Sequence, residues 1–254
     1  MKDNQQNQGS RDLERYAQDY SALQYEEIQE DYRRAELAAT IRGISTTHLV
    51  EVGCGRRSVI TEITNFESAT IIEPIKDLLN RNLEMLEDNA KTEGFNGLLN
   101  EFVSQSNKTY DLCVLSSLLH EVNNQIEMLG NCWKLLDVKG VLIVNVPNAF
   151  SIHRILGVHM GKLDSVYSLT ETQLRMQQVN DPFSKETLRN LLEDNGFEIE
   201  KMFTVIPKLL DHVSLSQIMS SGLIDREFLG NLNKLAGKLD GFGSEIIAIA
   251  RKIG

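Results

Sequence analysis

Val50-Glu51-Val52-Gly53-Cys54-Gly55-Arg56-Arg57-Ser58 is the stretch on which the fold turns. A short apolar run, His48 to Val52, ends in a glycine-rich turn, which reads as a buried strand delivering its carboxyl end to a place where backbone can approach a ligand closely. Glu51 puts a carboxylate beside that turn. The glycines alone also fit a degenerate dinucleotide turn with Ser58 in the third glycine's place. Glu51 argues against that, because a pyrophosphate there meets an unfavourable carboxylate whereas a cationic ligand gains from it.

Outward from this turn the chain alternates. A helix is expected from Ser58 to Asn65, a β-branched strand from Ala69 to Glu73 stopping at Pro74, and a charged amphipathic helix from Lys76 to Asp88. Gly94 and Gly97 read as a loop and Leu98 to Ser104 as a short helix; a third strand is the faintest signal. Asp111 to Leu115 and Val141 to Val146 read as fully buried strands flanking a helix from Ile126 to Leu136. Ser184 caps a helix from Lys185 to Asp194 that stops at Gly196, and Phe197–Ile206 and Ser244–Ala250 close the chain as strands joined by a long helical excursion. Such alternation implies parallel strands with helical crossovers.

Composition narrows the function. The 254-residue chain carries a formal net charge of −10, which opposes the counterion release that drives nucleic-acid binding, so no nucleic-acid partner is expected. No apolar run reaches the length of a membrane span, and residues 1–11 are polar without a secretory pattern, so a mobile tail and a cytoplasmic protein are expected. Cys54, Cys113 and Cys132 lack disulfide or zinc spacing, and no metal is called for.

Ligands of open parallel sheets bind beyond the carboxyl ends of the strands. Glu73 ends the second strand at a spacing suited to two ribose hydroxyls. Here a resemblance emerges: Val50 to Gly55 is similar to the first motif of class I S-adenosylmethionine (SAM)-dependent methyltransferases, Ile71-Ile72-Glu73-Pro74 to the acidic end of their second strand, and Tyr110 to Leu115 to their fourth. Gly140 to Val144 with Val146-Pro147-Asn148 resembles their fifth strand, and Phe183-Ser184 to Gly196-Phe197 the helix leading to their sixth. The likeness is best with the ubiquinone-pathway and sugar (surface-polysaccharide) O-methyltransferase branch. Arg57 departs from it, standing where relatives commonly carry a third glycine.

The resemblance implies a doubly wound, Rossmann-like α/β fold with a seven-stranded, mostly parallel sheet and a reversed last strand. Residues 12–254 would form the domain, with helical lids at 12–45 and 148–181. SAM would be the cofactor: Glu51, Gly53, Cys54 and Gly55 at its methionine end, Glu73 on its ribose, Pro74 and Ile75 against adenine, Asn96, Gly97 and Leu98 at the adenine edge, and Ser116 beside the sulfonium. The acceptor would be a small polar molecule, a sugar, sugar nucleotide or phosphorylated metabolite, touched by Tyr16, Tyr20, Arg33, Asn148 and Arg154. Monomer and homodimer both fit.

His120-Glu121 follows the fourth strand, where cofactor and acceptor converge. His120 is expected to take the acceptor's proton, with Glu121 beside it; the plain alternative is a helix-capping His120 and a solvent-facing Glu121. Three other outcomes stay open: methylation of a phosphate or phosphoramidate oxygen, methylation of nitrogen, and a SAM-binding module without catalysis.

Overall fold

The computed structural model describes residues 24–86, 91–175 and 178–254. Tyr16, Tyr20, the polar tail and the first part of the expected N-terminal lid lie outside the described residues. Helix α1 (Gln24–Arg42) leads into β1 (His48–Val52), a single 3-10 turn (Val59–Glu62), β2 (Ser68–Ile72), α2 (Lys76–Met85), β3 (Thr92–Phe95), α3 (Leu99–Gln105) and β4 (Tyr110–Ser116). Then come α4 (Gln125–Leu135), β5 (Leu136–Pro147), α5 (Ile152–His159), α6 (Glu171–Arg175), α7 (Lys185–Asp194), β6 (Phe197–Val205), α8 (His212–Ser220), α9 (Arg226–Asn233) and β7 (Glu245–Lys252).

The strands form one seven-stranded sheet in the order β3-β2-β1-β4-β5-β7-β6. β1 to β5 run parallel and β7 is antiparallel to both β5 and β6. Order reverses between β1 and β4, so the carboxyl ends of β1, β2 and β4 surround the crevice where such sheets bind ligands.

Both faces of the sheet are covered, which explains the unbroken apolar runs. Val50, Val52, Ile72, Cys113, Leu115, Leu142 and Val144 face a core closed by Leu129, Leu188 and Leu192 of α4 and α7. Their neighbours Leu49, Ile71, Leu112, Val114 and Ile143 face the other way, against Leu37 and Ile41 of α1 and Ile60. Period-two alternation thus sorts one strand into two cores. The outer end of α1 carries Tyr25 and Ile28 to Leu215 of α8 and Leu229 of α9.

Three elements differ from expectation, the first being β5, which begins at Leu136, the expected end of a helix, rather than at Val141. The helix expected from Ser58 to Asn65 is only the 3-10 turn; Val59, Ile60, Thr61, Ile63 and Thr64 are β-branched and resist helix, and Ser58 is engaged in capping by accepting from Ile60 N. Gly94, expected in a loop, lies within edge strand β3. A Cβ there would sit 2.7 Å from Leu83 Cδ1 and 2.9 Å from Leu79 Cδ1, so this glycine is what lets α2 lie on β3.

Candidate functional site

The glycine-rich turn is held from three sides. Gly53 and Gly55 have φ of 75° and 56°, a region other residues enter at a cost, and Gly53 N donates to Ile72 O at 2.9 Å. Asn82, wholly buried on α2, donates to Gly55 O at 3.0 Å and accepts from Ser58 N at 2.6 Å. Ser58 Oγ donates to Glu51, whose carboxylate also accepts from Val59 N at 3.2 Å. Burial pushes the Glu51 carboxyl up to about 7 against the pull of those hydrogen bonds. Arg57 leaves the turn's shape intact, since its Nε donates to Thr61 Oγ1 at 3.2 Å and its Nη2 lies 3.1 Å from Glu62 Oε1.

Across the crevice, Glu73 Oε1 accepts from Ile75 N at 3.0 Å, while Oε2 faces Gly55 N at 3.4 Å and Cys54 Sγ at 3.6 Å. Desolvation raises this carboxyl as well. Asn96 donates to Glu73 O at 3.0 Å and Pro74 O at 2.9 Å. It therefore shapes the exit of β2 from behind, and it is Gly97 and Leu98 that reach the cavity.

The cavity between these groups measures about 600 Å³ and is lined by Glu51, Gly53, Cys54, Gly55, Glu73, Pro74, Gly97, Leu98 and Ser116, among others. A Cβ added at Gly55 would meet no atom within 4 Å; the turn borders open space that backbone alone leaves accessible. Two buried carboxylates, a glycine cradle and the apolar Ile75, Leu78 and Leu118 together suit a ligand with a cationic end, a diol and a flat ring. That donor set fits SAM.

At the exit of β4, the structure places the two residues named from sequence differently. Glu121 lines the cavity, whereas His120 is buried behind it and does not reach the wall. His120 Nε2 lies 3.9 Å from Glu121 Oε1. Ser117, with a φ of 55°, redirects the chain here, a strained conformation of the kind that collects at functional sites. Asn180 at the end of the 148–181 segment donates to His120 O at 3.1 Å and Val122 O at 2.7 Å, and its neighbour Val179 lines the cavity.

Two expected acceptor contacts are spent elsewhere. Asn148 donates to Gly241 O at 2.9 Å and Gly243 O at 2.8 Å, and Arg154 donates to Val166 O at 2.7 Å, to Ser168 O and to Gln173 Oε1 at 3.2 Å. Neither lines the cavity. Arg33 does, while bound to Glu245. Sequence reading missed Glu30 on α1 and Asn123, Glu127 and Met128 on the α4 side; the spacing of Glu30 with Arg33 and Arg34 on one helical face was the available signal.

A family model described as a methyltransferase domain matches residues 21–202. No curated protein matches the chain. Among solved structures, the fold is similar to the N-methyltransferase NodS from Bradyrhizobium japonicum WM9 in complex with S-adenosyl-L-homocysteine, at 12% identity and a TM-score of 0.53 over 87% of this chain and 85% of that one. It is similar too to a SAM-dependent methyltransferase from Mesorhizobium loti (15% identity, TM-score 0.55, 86% of this chain and 98% of that one). A third likeness is to a SAM-dependent methyltransferase from Archaeoglobus fulgidus (18% identity, TM-score 0.52, 90% of this chain and 100% of that one). With the motif, the topology and the carboxylate-lined cavity in agreement, the chain belongs to the methyltransferase-domain family, and its cavity fits SAM as the methyl donor.

Proposed function

We propose that the enzyme methylates a hydroxyl oxygen on a small polar acceptor, a sugar, sugar nucleotide or phosphorylated metabolite of surface-polysaccharide biosynthesis, in the cytoplasm. The observation that carries this reading is Glu121, a carboxylate on the cavity wall just past β4 with the His120 ring 3.9 Å behind it. A hydroxyl acceptor must lose a proton as its oxygen is alkylated; an ionised phosphate oxygen need not.

Bound SAM supplies the electrophile, a methyl group on sulfonium sulfur. Glu73 would accept hydrogen bonds from its ribose hydroxyls, and Glu51, once ionised, would set a negative charge behind the glycine turn toward its cationic end. Glu121 takes the acceptor's proton, and His120 is a positioning residue that holds the Glu121 carboxylate. Opposite, Arg34, Arg56 and Arg57 face Asp31, Glu30 and Glu62 at 2.5, 2.9 and 3.1 Å, so their charge is compensated, which favours a neutral reacting oxygen over an ionised one. Val179 covers the acceptor end of the cavity and helps exclude water.

The test is to incubate purified protein with SAM and a panel of nucleotide sugars, phosphorylated metabolites and their amino analogues, measuring S-adenosylhomocysteine release and locating the new methyl group by mass spectrometry. A methyl ether supports the reading. A methyl phosphate ester or an N-methyl product as the only turnover overturns it.

A further inference from the structure

Beside the cofactor cavity lies a second group of buried polar side chains that the proposed chemistry does not use. It gathers at the carboxyl ends of β5 and β6 and the start of β7: Lys208 after β6, Ser151 and His153 after β5, Ser244 and Glu245 at β7, and His212 opening α8. From α1 come Glu26, Gln29 and Arg33. Contacts run unbroken from this group to the cavity. Lys208 Nζ is 3.4 Å from Gln29 Oε1, Gln29 Nε2 donates to Glu245 Oε1 at 2.6 Å, and Glu245 is paired at 2.6 Å with Arg33, which lines the cavity.

The group is under-satisfied. Lys208 is 3% exposed, and among the described residues its ammonium has that one long hydrogen bond, the Tyr25 ring 5.7 Å away and no ion pair within 4 Å. His153 Nδ1, Ser151 Oγ and Ser244 Oγ are buried without hydrogen-bond partners among the described residues, and His212 Nδ1 has only the Glu26 carboxylate, 3.5 Å from Oε2. Native interiors rarely leave so many polar atoms of one region unpaired. Buried water answers hydrogen-bonding capacity, whereas the Lys208 ammonium, its pKa lowered to about 8 by burial, is balanced only through space by Glu26, Glu245 and Asp211. Arg33 is neutralised by Glu245, and Arg154 is bonded to two carbonyls and Gln173. Arg33, Arg154 and Lys208 are the buried cations of the region and Glu26 and Glu245 its buried carboxylates, with Asp211 ahead of α8 and Asp181 acting on Lys208 and Arg154 from less buried positions.

We infer that this cluster is an anion subsite of the acceptor site, in which Lys208, assisted by His153, His212, Ser151 and Ser244, holds a phosphate or carboxylate group of the acceptor. The inference rests on the reading of a small polar acceptor and narrows it to an acceptor that carries an anion away from the methylated oxygen. The Gln29 carboxamide oxygen stands in for that anion at the ammonium. Burial together with the neighbouring Lys208 charge holds both histidines neutral, their pKa values well below the ordinary range, so each ring keeps one donor and one acceptor nitrogen to offer.

The test is calorimetric titration of the full chain, with S-adenosylhomocysteine present, using inorganic phosphate and acetate as separate probes. Wild type should bind phosphate if the anion is a phosphate ester and acetate if it is a carboxylate. Lys208→Met should weaken that binding by roughly ten- to a hundredfold, the loss expected for one charge-assisted hydrogen bond, while Lys208→Arg and the control Arg57→Ala retain it. Should Lys208→Met fail to fold, His212→Phe carries the same test. Binding unchanged by both variants, binding lost only in Arg57→Ala, or no binding of either probe to wild type would each overturn the subsite. Turnover is not read in this titration, so its outcome is separate from that of the acceptor panel.

Discussion

Arg33 of α1 and Glu245 at the first residue of β7 form a buried two-point ion pair, Nη2 to Oε1 at 2.6 Å and Nε to Oε2 at 2.9 Å. Arg33 pulls the Glu245 carboxyl below its usual range despite complete burial. The pair fastens the helix before β1 to the last strand of the sheet and places an arginine in the cavity wall without leaving its charge free.

Removing one partner strands the other in a dry site. Glu245→Gln or Arg33→Met should each lower unfolding free energy by about 3–5 kcal/mol, read as a lower denaturant midpoint at unchanged slope. A loss below about 1 kcal/mol in both would place the pair among solvent-screened surface contacts.

Glu51 makes cofactor affinity depend on pH. Its carboxyl is raised from 4.5 to about 7, so the folded protein holds this proton longer than the unfolded chain does. The stability it contributes is complete below its unfolded value and is lost as pH rises through about 7. A cationic ligand selects the ionised form. Affinity for SAM should therefore climb about tenfold from about pH 6 to about pH 8, with proton release on binding. Calorimetry in buffers of different ionisation enthalpy measures this directly; Glu51→Gln should flatten the profile, and a flat wild-type profile counts against the assignment.

Glu121→Gln should leave S-adenosylhomocysteine affinity within a few-fold of wild type and cut turnover by about 10²–10⁴. His120→Asn should act more mildly, mainly by shifting the pH profile of kcat, because that ring touches Glu121 rather than the cavity. The reverse ranking would restore His120 as the base.

The two ends of the crevice, at Gly53-Cys54-Gly55 and at Glu73, were legible in sequence because each is local. A strand that stops at Gly53-Cys54-Gly55 must turn with positive φ, and an acidic residue ahead of Pro74 must sit at the exit of β2. The acceptor end was not, because long-range geometry decides it. Which of His120 and Glu121 faces the cavity depends on the path of the chain after β4, where Ser117 has a φ of 55°, and no spacing rule reports that. Arg154 and Asn148 looked available but bind carbonyls 12 to 14 and 93 to 95 residues away. Lys208 drew no notice, since the burial of one lysine depends on α1, α5 and α8 meeting over it. Gly94 was misplaced for a related reason: it serves helix packing rather than a turn.

Calorimetric titration of S-adenosylhomocysteine into wild type and Glu73→Ala tests the central claim most directly, that this carboxylate-lined crevice is the SAM site. The account predicts one-site binding to wild type and, for the variant, a loss of about 1.5–3 kcal/mol, the value of hydrogen bonds to a charged group, with the fold unchanged by circular dichroism. Equal affinity in the two proteins, or tighter binding of NAD than of S-adenosylhomocysteine to wild type, would contradict it.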